Sequence, residues 1–293
     1  MQVRFWGVRG SIAVPGPDTV RYGGNTTCIE VVLDGGERLI LDAGTGIFPL
    51  AQSLVPAMPL STHIFITHTH WDHIQGLPFF TPLFVPGNRV SIYGAYDPVS
   101  QRGIDEILSV QMQYRFYPVR ESELKAEIDS ISLRDGEQVR IGSAVVTPVL
   151  MNHPVVDFGY RIEADGKSLF FTGDHEPIAN IYDPDDEGYA QYEQMAEQRR
   201  QGIIAAIRGV DVLIADSAYT EAEFAAHKRG WGHGTHDSSM ALASAAGVGT
   251  LVMTHHEPTR SDDALDALFA DIKARHVGET RLVMAREGLV LDL

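Results

Sequence analysis

The stretch THTHWDHIQG at positions 67–76 constrains this chain more than any other. It follows an apolar, strand-like run, HIFIT, and places His68, His70, Asp72 and His73 within six residues of one another. On a regular strand His68 and His70 share a face, because side chains alternate with a period of two, and the turn that follows aims Asp72 and His73 at a neighbouring point. One loop can therefore feed two adjacent cations. The plainer alternative is a polar, histidine-rich binding loop with no enzymatic role.

Three further donors sit in matching contexts, His153 in LMNHP, Asp174 in FFTGDH and His255 in VMTHH. Each comes just after a run of strand-forming residues, where a rigid element hands side chains to a site. Singly, they also read as a turn residue before proline, a turn or helix cap, and a surface imidazole. Together with the 67–76 loop they make two sets of three donors plus one carboxylate that both can share.

The rest of the chain frames that cluster. Short β-branched and aromatic runs mark strands at 3–8, 28–33, 38–41, 63–67, 90–93, 139–141, 144–149, 158–163, 168–172, 212–215 and 250–254, with closing strands at 280–284 and 289–291. DGGE at 34–37 has hairpin chemistry and predicts an antiparallel opening. Helical patterns fall at 103–113, 238–246 and 261–276, and the polar stretch after Asp174 ends in a solvent-exposed helix. No repeat or linker interrupts 293 residues, which predicts a single α/β (α+β) domain over 1–293 whose two halves meet near 150.

With 39 acidic and 23 basic residues the formal charge is −16, which disfavours a nonspecific hold on long polyanions. The single cysteine, Cys28, forms no intramolecular disulfide, the opening residues lack signal-peptide character, and no apolar run is long enough to span a bilayer. The expectation is a cytoplasmic protein with no membrane association. Monomer and homo-oligomer both stay open.

The HxHxDH loop, the later His, TGD and the final TH resemble the metallo-β-lactamase superfamily over nearly the whole chain. The resemblance implies a four-layer αββα sandwich with a dinuclear site. In it His68, His70 and His153 hold one metal, Asp72, His73 and His255 the other, and Asp174 bridges. It also implies that Asp42, in LDAGTG at 41–46, braces the metal-binding loop; an ordinary Asp-Gly turn is the alternative there. Mixed imidazole and carboxylate donors suit two zinc ions, with manganese or iron accepting the same set. Such a pair lowers the pKa of a bridging water toward ~7 and makes hydrolysis the natural reaction, with Asp72 counted among the catalytic groups.

Ligands alone do not name a substrate. ADSAYT at 215–220 and GWGHGTHDSS at 230–239 resemble elements of the branch that holds transfer-RNA 3′-processing endonucleases and PhnP-type cyclic phosphodiesterases. His233 matches that branch's extra histidine and Asp216 its partner carboxylate. A departing alkoxide needs a proton, which His233 would donate while Asp216 orients it. A surface glycine-rich turn is the alternative for His233, and His236 reads as a helix-start residue. The opening segment, GDHEP and THHEPTRSDD resemble a bacterial subgroup of cyclic-nucleotide-phosphodiesterase-like hydrolases. There Arg9, Ser11, Arg21 and Asn25 could approach anionic oxygens, or simply pack as an Ω-like loop. His175 and His256 read as wall residues. YRFYPV at 114–119 offers either an aromatic wall for a flat group or core filling, with core filling favoured.

The expectation is thus a binuclear hydrolase of a small anionic phosphodiester such as a cyclic nucleotide. A nucleic-acid polymer is disfavoured, since no basic arm of the transfer-RNA-clamping kind is present. The alternatives are a lactonase or thioesterase of the same fold, an RNA 3′-processing endonuclease, and a noncatalytic metal- or ligand-binding protein.

Overall fold

The computed structural model describes residues 1–293, arranged as two seven-stranded sheets. The first contains β1 (Gln2–Gly7), β2 (Cys28–Val32), β3 (Arg38–Leu41), β4 (Ser61–Phe65), β5 (Arg89–Ala95) and β6 (Glu127–Leu133) in sequence order. The second contains β7 (Val139–Ile141), β8 (Ala144–Leu150), β9 (Phe158–Ala164), β10 (Lys167–Phe171), β11 (Val212–Asp216), β12 (Thr250–Thr254) and β13 (Arg281–Met284). The last strand, β14 (Val290–Asp292), returns to the first sheet and pairs with β1. The chain changes sheet between Leu133 and Val139, ahead of the division near 150 expected from the sequence.

The two-residue strand period explains the layering. Leu39 and Leu41 point between the sheets, where they meet Phe65, Tyr160 and Ile162, while Ile40 points the other way toward Ile47 and Leu50. Leu169, Phe171, Val212 and Ile214 likewise face inward, and Phe170 and Leu213 face Ile203, Ile207 and Ala243 outside. Strands apolar on both faces must be covered on both faces. Helices α1 (Ile47–Leu54) and α3 (Ile104–Gln111) cover the first sheet, with the short α2 (Trp71–Ile74) at its edge. Helices α4 (Tyr189–Ile207), α6 (His236–Ala246) and α7 (Asp262–Arg275) cover the second, and α5 (Glu221–Glu223) runs into a π turn over Phe224–Lys228. The result is the four-layer αββα sandwich. No helix is long and apolar enough to cross a membrane.

The hairpin across 34–37 pairs β2 and β3 antiparallel as its turn chemistry predicts. Helix α6 begins two residues earlier than expected because Thr235 and Ser238 form a reciprocal capping box, side chain to backbone in each direction. Strand β6 and helix α1 were not apparent from the sequence. EIDSISL is largely polar because β6 is an edge strand exposed over much of its length.

Strands β3 to β6 and β10 to β13 run parallel, so their carboxyl ends collect at one rim. Asp42 follows β3, His68 follows β4, Asp174 follows β10, Asp216 ends β11 and His255 follows β12. One buried contact sets the two sheets in register beneath that rim. The Tyr160 hydroxyl on β9 donates to the Ile66 carbonyl at 2.7 Å, with its ring edge-on to Phe65 at 5.3 Å, just before the histidine loop starts. Removing this hydroxyl leaves a buried carbonyl without a donor, which costs about 1–3 kcal/mol. Tyr160→Phe should lower the unfolding free energy by that amount, read as a lower urea midpoint at an unchanged denaturant slope; an unaltered midpoint would show the contact to be dispensable.

Candidate metal centre

Left-handed backbone shapes the rim. Ser11, Asp42 and His255 all have φ near +60°, a conformation that costs a non-glycine residue free energy and concentrates at functional sites. Each turn redirects a strand end toward the same point. Gly10 lies so close to His255 that a Cβ there would come within 2.3 Å of the ring.

Around that point stand three overlapping sets of donors, one of which joins Asp174 and His255 to Asp216 and His233, while the other two gather the histidine-loop residues. Of these two, His68, His70, His153 and Asp174 form one, and Asp72, His73, His255 and Asp174 the other, with the donor atoms of each set within 4.8 Å of one another. Asp174 is central. Its Oδ2 lies 3.6 Å from His68 Nε2 and 3.3 Å from His73 Nε2, and its Oδ1 lies 3.2 Å from His255 Nε2. His70 Nδ1 and His153 Nε2 approach to 3.1 Å, and Asp72 Oδ2 is 3.3 Å from both His73 Nε2 and His255 Nε2.

The opposite edge of most of these rings is already engaged. His73 Nδ1 meets Asp42 at 2.7 Å, His68 Nδ1 meets Asp157 at 2.7 Å, and His153 Nδ1 donates to the Gly232 carbonyl at 2.9 Å. Asp42 itself accepts from the Thr67 backbone at 2.7 Å. These partners fix which nitrogen faces inward. His68 Nε2, His73 Nε2 and Asp174 Oδ1 are buried there with no hydrogen-bond partner in the protein. Buried polar atoms are almost always satisfied, and a convergent set of imidazole nitrogens and carboxylate oxygens is the chemistry of a divalent cation. The residues present fit such ions.

Electrostatics points the same way. Burial alone would raise the Asp174 carboxyl, but His255, His73 and His233 overcome it and hold the group well below the usual carboxylate range. Burial drives the His68 imidazole down, favouring its neutral, ligating form. Burial likewise pulls His175 down to about 4 and His236 down to about 4.

His233 sits on the far side of the cluster, stacked on His255 at 4.8 Å between ring centres. Its Nδ1 lies 3.0 Å from Asp216 Oδ2 and 3.6 Å from Asp174 Oδ2. Burial works against its charged form, yet the two carboxylates prevail and push it up to about 9. Asp216 also accepts backbone N–H groups from His175 and Gly234, so its orientation is set from three directions.

The structure thus brings together His68, His70, Asp72, His73, His153, Asp174, His255, Asp216 and His233, with Asp42 directly behind them. Ser11 reaches the cluster through its backbone, donating N–H to Asp72 Oδ2 at 2.7 Å. Arg9 and Asn25 do not. Arg9 is fully buried, its guanidinium donating to the carbonyls of Gly23 and Arg260, so it ties two loops together. Asn25 is bound through backbone and side chain to Glu287, and Arg21 pairs with Asp263 and Asp266 at the surface. His236 is buried at the start of α6 with Nδ1 on the Tyr219 carbonyl. His256 donates to the Ala285 carbonyl behind the site, and His175 Nδ1 accepts from the Asn152 backbone. Of the two rings read as core filling, Phe116 is exposed and Tyr117 is half-buried, edge-on to Phe79 at 5.4 Å, and Tyr114 is exposed as well. Asp157 and Glu176 were missed. Asp157 interrupts an apolar run, VVDF, and Glu176 follows Asp174 in GDHEP without a ligand's context of its own, so only folding reveals Asp157 against His68 and Glu176 beneath the His233 loop.

Residues 37–256 match the family described as Beta-lactamase superfamily domain. The chain belongs to the metallo-β-lactamase superfamily. An uncharacterized protein of Mycobacterium tuberculosis (strain ATCC 25618 / H37Rv) is 27% identical over 266 residues, covering 85% of this chain and 80% of its own. Ribonuclease Z of Haloarcula marismortui is 25% identical over 318 residues, covering 99% and 96%. Among solved structures, the metallo-beta-lactamase fold protein YhfI from Bacillus subtilis superposes with a TM-score of 0.68 at 18% identity, covering 99% of both chains.

Two predictions follow from the geometry. Asp157→Asn should weaken divalent-cation affinity about 10- to 100-fold by loosening His68, measured by competition with a chromogenic chelator; unchanged affinity would contradict the bracing role. For His236, the native imidazole stays neutral to about 4 while the unfolded one takes a proton near 6.5. Its contribution to stability is complete above about 6.5 and is lost as pH falls toward 4. His236→Gln should therefore flatten the pH dependence of stability between those limits, and an unaltered slope would contradict it.

Proposed function

We propose that this superfamily member is a metal-dependent phosphodiesterase that hydrolyses a small phosphodiester, a cyclic nucleotide or a compact relative. His68, His70 and His153 hold one divalent cation, Asp72, His73 and His255 the other, and Asp174 is shared between them. Donors of imidazole and carboxylate without thiolate suit zinc, and manganese or iron accept them too. Cations bound there supply Lewis acidity, which activates water near neutral pH and neutralises charge on the substrate oxygens.

The chain's own residues do the remainder. Asp42, Asp157 and the Gly232 carbonyl lock three ligand rings in place before substrate arrives, so little reorganisation is needed on binding. The observation that carries the reading is the His233–Asp216 pair at 3.0 Å beside the shared carboxylate. Asp216 holds Nδ1 and leaves Nε2 to donate a proton to the departing alkoxide. A thioester gives such a donor less to do, because its thiolate departs without a proton; a lactone also releases an alkoxide, so direct comparison of turnover separates that class.

The Haloarcula relative is named a ribonuclease, and RNA cleavage is phosphodiester chemistry. The formal charge of −16 weighs against a long RNA and toward a small substrate.

His233→Ala should keep its metal and lose roughly 10²- to 10⁴-fold in turnover on a diester with an unactivated alkoxide, the usual span for a general acid. It should lose far less on bis(p-nitrophenyl) phosphate, whose leaving group needs no proton. Equal losses on both substrates would refute the acid role, and faster turnover of an acyl lactone or thioester by the parent enzyme would refute the ester class.

A further inference from the structure

We propose that the cleft beside His153 receives one arm of a linear phosphodiester, and that Arg229 meets a terminal phosphate on that arm. This rests on the phosphodiesterase reading and narrows its substrate class. The cleft encloses about 490 Å³, within the range of small-molecule sites. His153 and Gly232 form one end of it, which places the cleft against the outer edge of a ring whose other nitrogen faces His70 in the cation-binding cluster. Pro154, Ile178, Ile181 and Tyr192 line it with apolar and aromatic surface, which suits the flat face of a nucleobase.

Arg229 supplies the charge. Eight of the 19 arginines pair with carboxylates, and among those that do not, Arg229 is the one that lines this cleft. Arg229 pairs with none; its guanidinium rests 5.4 Å from the Phe224 ring and lines the cleft. In a chain with 39 acidic and 23 basic residues, an uncommitted guanidinium beside the reaction centre is free for an oxyanion, which its planar fork matches.

The base beneath it is rigid. The buried Glu176 carboxylate accepts the N–H of Gly230 at 2.8 Å and of Gly232 at 2.7 Å. Both glycines have left-handed backbone, φ +82° and +87°, and a Cβ on Gly232 would lie 2.3 Å from His153 Nδ1. The loop that carries Arg229 is thereby fixed against the same histidine that faces the cations. A cyclic mononucleotide has one phosphate, which would go to the cation-binding donors, and it leaves Arg229 without a partner. A linear dinucleotide with a 5′-phosphate uses both positions.

The test titrates metal-loaded, full-length protein by calorimetry with phosphorothioate-linked dithymidine, with and without a 5′-phosphate. The parent protein should bind the phosphorylated probe about fivefold more tightly, the size of one solvent-exposed charged contact. Arg229→Met should abolish the difference without changing the affinity for the unphosphorylated probe, and Arg229→Lys should restore part of it. Equal binding of the two probes by the parent protein, or a preference that survives in Arg229→Met, overturns the proposal. Hydrolysis of bis(p-nitrophenyl) phosphate, expected to be the same in parent and Arg229→Met, reports separately on the phosphodiesterase reading. Its absence from the parent would sink that reading, while the calorimetric preference still decides the cleft.

Discussion

Buried carboxylates that grip the outer edges of histidine rings are what this structure is organised around. Asp42 on His73 and Asp157 on His68 each take one imidazole nitrogen and leave the other directed at a common point beside Asp174, while Asp216 holds His233 Nδ1 at the margin of that point. Taking such acids out of water is costly, and a chain tolerates it only where opposite charge and hydrogen bonds answer them. Divalent cations bound among the donors would complete that balance. The sandwich exists, in energetic terms, to hold these groups still: three apolar cores and two sheets with parallel halves fix the strand ends from which the donors hang.

That arrangement separates two duties among residues of the same type. Histidines whose outer nitrogen is held, and whose inner one has no protein partner, are suited to ligation. Neighbouring carboxylates favour the charged form of His73, His255 and His233 alike, so His233 is set apart by its place beside Asp216 at the margin of the cluster, where it suits a proton donor. His236 and His256 differ again, since burial drives both down and each is spent on a backbone carbonyl. Twelve histidines thus divide by surroundings more than by identity.

Much of this was legible before any fold was known. His68, His70, Asp72 and His73 are adjacent in sequence, and His153, Asp174 and His255 each follow a β-branched run, so strand ends could be inferred to deliver them. The short apolar runs RLIL and VLIAD were readable as strands, and it is their continuous rather than alternating character that matches sheets buried on both faces. Asp157 was invisible because nothing local distinguishes an acid before Phe158 from a turn residue. Arg9 and Asn25 misled because a glycine-rich opening reads as open loop, whereas the 257–262 segment closes over Arg9 and Glu287 captures Asn25. The edge strand β6 escaped notice because its exposed face erased the alternation that marked the others.

The central claim is that this cluster is a two-ion site. Elemental analysis of protein purified without chelators, paired with a crystal measured at the absorption edges of the metals found, tests it most directly. The account predicts about two divalent ions per chain, as the two donor sets around the histidine loop imply, with anomalous peaks on either side of Asp174. A protein without metal at those positions, which stays empty after supplementation with zinc, manganese and iron, would contradict it.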